Sequence, residues 1–145
     1  TEVDGSTLEI GMKKGSWNNK GKVRITVTYK HLSEIASSGS TNIEAFSVLK
    51  GDKFEVATSG SGNFKGSFDV KKLEVAISGS ADMTLKGMAT QQEIAISGSG
   101  DVDAGDLKGK EAEVAISGSG NVIVGVDGPV QTAVSGSGKV TTKKK

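Results

Sequence analysis

The chain has 145 residues with no cysteine, one proline, one arginine and one histidine. Without cysteine there is no disulfide framework, no thiolate nucleophile and no Cys-ligated zinc. His31 has no second histidine with which to build a zinc site, so it reads as a surface residue. Arg24 stands alone among 18 basic residues. Arginine is the side chain for bidentate phosphate and base-edge contacts, so its scarcity argues against nucleic-acid readout. The net charge of +1 provides no global field for nucleic acid or an anionic membrane. No apolar run is long enough for a transmembrane segment, and no apolar core of a signal peptide is present. The aromatics end at Phe68, so any core in the second half must be built from Val, Ile, Leu, Met and Ala.

Glycine, by contrast, is abundant: 21 residues, about double its ordinary share. Its placement separates a flexible linker from a regular turn. The tripeptide Ser-Gly-Ser occurs six times, centred on Gly39, Gly60, Gly79, Gly98, Gly118 and Gly136, at separations of 21, 19, 19, 20 and 18 residues. A linker would not keep such a beat. The flanks repeat as well. Glu55-Val56-Ala57-Thr58, Glu74-Val75-Ala76-Ile77, Glu93-Ile94-Ala95-Ile96 and Glu113-Val114-Ala115-Ile116 precede the turn. Looser copies at Glu34–Ser37 and Gln131–Val134 open and close the series. After the turn comes an Asn or Asp and then an apolar residue: Asn42-Ile43, Asn63-Phe64, Asp82-Met83, Asp101-Val102 and Asn121-Val122, with Lys139-Val140 last.

Each copy reads as strand, tight turn, strand, because its apolar residues alternate with Glu, Ala and Ser. The invariant first glycine of the turn suits a positive φ, while the second position, occupied by Gly, Thr41 or Ala81, needs only to be small. A unit of this size cannot bury its apolar stripe alone, but stacked copies can. At ~3.3 Å per residue, each unit traces one coil of a β-helix. The expected fold is all-β: a parallel β-solenoid of about six coils forming a single domain over residues 1–145. Residues 1–31 supply N-terminal strands, 32–142 the repeats and 143–145 a lysine tail that protects an open sheet edge. Leu8, Ile10 and Met12 alternate, as do Val23, Ile25, Val27 and Tyr29. This predicts a strand pair on either side of a polar loop from Lys13 to Lys22.

The inward columns expected are Ile35, Val56, Val75, Ile94, Val114 and Thr132; then Thr58, Ile77, Ile96, Ile116 and Val134; and, beyond the turn, Ile43, Phe64, Met83, Val102, Val122 and Val140. The outward column Glu34, Glu55, Glu74, Glu93 and Glu113 stacks like charges, an unfavourable arrangement. Lys53, Lys71, Lys72, Lys108 and Lys110 are available to offset it. Paired carboxylates can serve as acid and base on a polysaccharide. A catalytic pair needs two different environments, however, and a repeat supplies one environment many times. The Asx column Asn63, Asp82, Asp101 and Asn121 faintly resembles a calcium-binding β-roll, but its period is too long and it mixes Asn with Asp. These side chains suit turns by bonding nearby backbone. Phosphate loops require a helix after the Gly-rich turn, and none follows here. No residue therefore qualifies as catalytic, cofactor-binding or metal-ligating. The Glu and Asx columns remain candidate surface-binding positions.

The recurring Val-Ala-Ile-Ser-Gly-Ser-Gly-Asp/Asn-Val unit, with Gly5–Ile10 and Val23–Thr28 running into Leu32–Ile35, resembles the head GIN domain family of auto-transporter adhesins across nearly the whole chain. The resemblance implies a right-handed parallel β-helix like that of pectin lyases but without their catalytic residues. It also implies a secreted or cell-surface location (or the periplasm), adhesion to a glycan or a host or bacterial surface protein, and a trimeric homo-oligomer. Members carry more strands before the segment matching Thr1–Ile10, so the resemblance implies that this chain enters the domain partway. The reading is a non-enzymatic adhesin-like module without cofactors. The alternatives are a carbohydrate-active β-helix enzyme or its inactive relative, and a structural spacer.

Overall fold

The computed structural model describes residues 1–11 and 23–144. Met12 and the loop from Lys13 to Lys22 lie outside the described residues, as does Lys145. The chain begins with a hairpin, β1 (Glu2–Asp4) and β2 (Thr7–Glu9), paired antiparallel with Val3 opposite Leu8. The repeats follow as β3 (Glu34–Glu44), the long winding β4 (Leu49–Gly98), β5 (Val102–Gly109), β6 (Glu111–Gly118), β7 (Asn121–Val126), β8 (Val130–Gly136) and β9 (Lys139–Thr142). Every pairing between these repeat strands is parallel and follows the repeat register: Ile35 opposite Val56, Ile94 opposite Val114, Val114 opposite Thr132, Val122 opposite Val140. The architecture is an all-β solenoid of about five turns preceded by an antiparallel strand pair. Six copies bound only five intervals, and the last coil stops at Thr142.

The N-terminal strand pair differs from the expected one. Leu8 lies in β2, but its partner is β1 rather than the segment from Val23 to Tyr29, and residues 23–33 carry no strand. Val23, Ile25 and Val27 are 65%, 54% and 46% exposed. Alternation specifies a strand only where an edge is available to pair with, and this segment meets none among the described residues. Among the described residues, a 2.9 Å hydrogen bond between the Tyr29 and Ser47 hydroxyls ties it to the first coil.

Inside the solenoid, the expected columns are buried through the middle coils and become exposed only at the ends, where Val134 is 44% exposed. Further inward columns escape notice in the sequence. One runs Phe54, Leu73, Gln92, Ala112, Val130, and another Leu85, Ala104, Val124. Their largest members, Phe54, Leu73 and Leu85, lie toward the N-terminal end, and Ala or Val fills the later coils. At the wide end, Phe68 packs edge-on to Phe54 at 5.5 Å and stacks on Phe64 at 6.3 Å between ring centroids. Gly66 makes room for them, since a Cβ there would approach the Phe64 ring to 2.9 Å. Uneven repeat length is absorbed without breaking the stack. The offset between β4 and β5 changes from 19 residues at Thr84–Asp103 to 20 at Lys86–Asp106, so the extra residue sits in a bulge beside Gly105.

Candidate binding face

The turn glycines stack one above another. All six central glycines have positive φ, from 84° at Gly39 to 133° at Gly98. Each one above Gly39 lies against the carbonyl of the glycine below; a Cβ on Gly98 would sit 2.2 Å from the Gly79 oxygen. The second turn position points inward, and Ala81 there is buried. The turn thus fixes a straight edge, and the outward columns run along both sides of it at the ~4.8 Å spacing of paired strands.

On one side lie the Glu, Ala and Ser columns, in register from Glu34–Glu55 through Glu93–Glu113 to Glu113–Gln131. The like charges are offset by only some of the lysines. Lys53 Nζ lies 2.7 Å from Glu74, and Lys72 Nζ lies 2.7 Å from Glu74 and 2.9 Å from Glu93. Both lysines project from the column two residues before the glutamates, and Lys72 bridges the successive carboxylates of Glu74 and Glu93. Hydrogen bonds from Lys53 and Lys72 hold the Glu74 carboxyl below the usual carboxylate range, and Glu74 and Glu93 together raise the Lys72 ammonium pKa. Lys71 points elsewhere and pairs with Asp52 at 2.7 Å. Lys108 and Lys110 make no ion pair with the column among the described residues.

Toward the C-terminus the lysine column gives way to Gln91, Glu111 and Pro129. Gln91 donates through Nε2 to Glu111. With Glu93, Glu113 and Gln131 these residues border a shallow polar recess of about 200 Å³. The face therefore changes along its length: Lys72, which also borders the recess and pairs with Glu93, is the last lysine of its column, and Gln91 and Glu111 take its place beyond. The sequence repeats the glutamate but not the residue two before it. That shorter column (Lys53, Lys72, Gln91, Glu111) was the signal available for this difference.

On the other side of the turn, the Asx column forms a ladder between coils. Asn42 Oδ1 accepts from the backbone N and the Nδ2 of Asn63, both at 3.1 Å. Asp82 Oδ1 accepts from Asp101 N at 3.3 Å, and Asp101 Oδ1 from Asn121 N and Nδ2 at 2.7 and 3.0 Å. These carbonyl and carboxylate oxygens thus bond the next coil rather than their own turn, because in-register stacking sets the next N–H directly above each oxygen. Among the described residues, no group of three or more His, Asp or Glu is placed to hold a metal ion, and no helix is long and apolar enough to cross a membrane.

A family model described as "Putative auto-transporter adhesin, head GIN domain" matches residues 1–145. The chain belongs to this family. No curated protein matches it. As a head GIN domain, it presents its repeat as a flat lattice of small and acidic side chains on one side of the turn and an Asx ladder on the other. The columns singled out from sequence lie on these two surfaces. Gln91, Gln92 and Glu111, which complete the recess, were not singled out.

Proposed function

We propose that this head GIN domain is a non-enzymatic, adhesin-like module that works outside the cytoplasm, at the cell surface, as a secreted protein or in the periplasm. Its outward columns contact a glycan or a surface protein. The supporting observation is the form of the face. Most apolar side chains of the middle coils are buried in the core, and the outward Glu, Ala and Ser residues recur at the strand spacing, which suits a partner that is itself extended or repetitive. The small Ala and Ser columns leave the face flat, so many weak contacts add up. The Glu74 carboxyl, held in its charged form by two lysines, is the opposite of a general acid, which must retain a proton near neutral pH.

The test is immobilised binding to glycan arrays and surface-protein panels, comparing the parent with a Glu93→Lys/Glu113→Lys variant that folds normally by circular dichroism. Binding that is lost in the variant supports the reading, and absence of binding by the parent to every panel refutes it. The recess bordered by Glu93, Glu111 and Glu113 is the one feature that favours a carbohydrate-active enzyme. Polysaccharide cleavage by the parent that is abolished by Glu93→Gln would establish that alternative.

A further inference from the structure

Gln91, Glu93, Glu111, Glu113 and Gln131 are exposed around one recess of about 200 Å³. Parallel pairing sets Gln91 beside Glu111, Glu93 beside Glu113 and Glu113 beside Gln131. Backbone fixes the wall between them: Ala112 N donates to the Pro129 carbonyl at 3.1 Å, and both residues border the recess. The carboxylates are unequally engaged. Lys72 Nζ pairs with Glu93 at 2.9 Å, and Gln91 donates through Nε2 to Glu111. The side chains of Glu113 and Gln131 have no hydrogen bond or ion pair among the described residues. The recess thus holds three carboxylates against the one ammonium of Lys72.

This lining narrows the chemistry that fits. No aromatic side chain borders the recess, so it offers no ring face on which a neutral sugar could stack. Affinity must come from charge and hydrogen bonds, and the excess of carboxylate selects a cation. The same excess repels sulfated and uronate sugars. An ammonium alone is a poor match, because it only donates, whereas the Gln amides donate as well as accept. Hydroxyls on the same ligand supply both functions. The volume lies below the ~300–1,000 Å³ of sites that enclose drug-sized ligands, so a single ring enters and the rest of the chain lies along the Ala and Ser columns.

We propose that the recess seats one hexosamine unit of a cationic glycan, a sugar with a free amine. Its ammonium sits between Glu111 and Glu113, and its hydroxyls bond the Gln91 and Gln131 amides. The proposal rests on the glycan reading of the function and narrows it to one ligand class.

Titration calorimetry with glucosamine oligomers and N-acetylglucosamine oligomers of equal length tests it, at about pH 6, where the carboxylates stay ionised. The amine form should bind about tenfold or more tighter than the acetylated form, and the preference should shrink as salt rises. Glu111→Gln/Glu113→Gln should weaken binding of the amine form about tenfold, and Gln131→Lys, which brings a cation into the recess, should weaken it as well. Glu34→Gln/Glu55→Gln removes the same charge from the same outward column outside the recess and should retain the preference. No binding of the amine form, equal affinity for both oligomers, tighter binding of a lysine peptide of equal charge, or equal loss in the Glu34/Glu55 variant would overturn the proposal. The adhesin reading survives each of these results and falls only if the parent also binds no member of the glycan and surface-protein panels.

Discussion

Gly98→Ala and Gly39→Ala change the same position of the repeat in two different settings. Both glycines have positive φ, 133° and 84°, where alanine pays about 1–3 kcal/mol of backbone strain, partly offset by about 0.4–1 kcal/mol from a stiffer unfolded chain. A Cβ on Gly39 meets nothing within 4 Å among the described residues. A Cβ on Gly98 would lie 2.2 Å from the Gly79 carbonyl oxygen, so the turns must separate by about 1 Å to restore an ordinary contact. That separation strains the turn hydrogen bonds Ser99 N to Gly79 O and Ser119 N to Gly98 O, both 2.9 Å, each worth about 1 kcal/mol net. Gly39→Ala should therefore cost about 1–2 kcal/mol and Gly98→Ala about 3–5 kcal/mol. At roughly 3–5 °C per kcal/mol for a chain of this length, the melting temperatures of the two variants should differ by about 10 °C. Thermal melts followed by far-UV circular dichroism measure it. Equal destabilisation of the two variants would show that the glycines serve their own φ alone and that coil-on-coil approach is irrelevant.

Three other substitutions probe the core and the charged face. Phe68→Ala removes a ring that contacts both Phe54 and Phe64 and should cost about 3–5 kcal/mol in urea denaturation; a loss below about 1 kcal/mol would deny the aromatic cluster its role. Gln92 is 2% exposed; its Nε2 donates to the Leu107 carbonyl at 2.9 Å, while its Oε1 has no partner among the described residues. Gln92→Leu should accordingly be neutral or stabilising by about 1 kcal/mol, and a clear loss of stability would contradict this account of the amide. Glu74 has a folded pKa below its ordinary 4.5, so its contribution to stability is complete above that value and disappears as pH falls through the folded pKa. Melting temperature should drop on acidification below about pH 4.5, and the drop should shrink in Lys53→Gln/Lys72→Gln; an unchanged acid profile in that variant would remove the lysine clamp from the explanation.

The solenoid was legible because its evidence is periodic. Glycine at a fixed place in six copies, with Val and Ile at fixed offsets, specifies both the turn and the face that turns inward. Features that depend on neighbours outside the repeat were less so. The Val23–Tyr29 alternation matches a strand as well as any repeat does, yet among the described residues no edge meets it, and pairing cannot be read from one strand alone. Phe54, Leu73, Gln92 and Ala112 share an inward column but not a residue type, because the core asks for a different volume at each level. The same reasoning explains the recess. Lys53, Lys72, Gln91 and Glu111 are equivalent in place and unlike in chemistry, so a search for sameness passes over them.

Departures from the repeat mark particular points along the outward columns that the proposed function assigns to binding. A stacked glutamate column has no preferred point along its length until something beside it changes. Lys72 makes that change between Glu74 and Glu93, and beyond it the face carries acid without base. The last copy departs in a second way, with Gln131 and Lys139 in the places that hold Glu and Asx in the earlier copies. If the lattice alone recognised the partner, transplanting a middle coil would leave binding unchanged. If the departures do so, replacing Gln91 and Glu111 with lysine, to continue the pattern of Lys53 and Lys72, should neutralise the recess and reduce binding while the fold is retained. Comparing these two variants by circular dichroism and by binding to the same panels separates recognition by periodicity from recognition by its interruption.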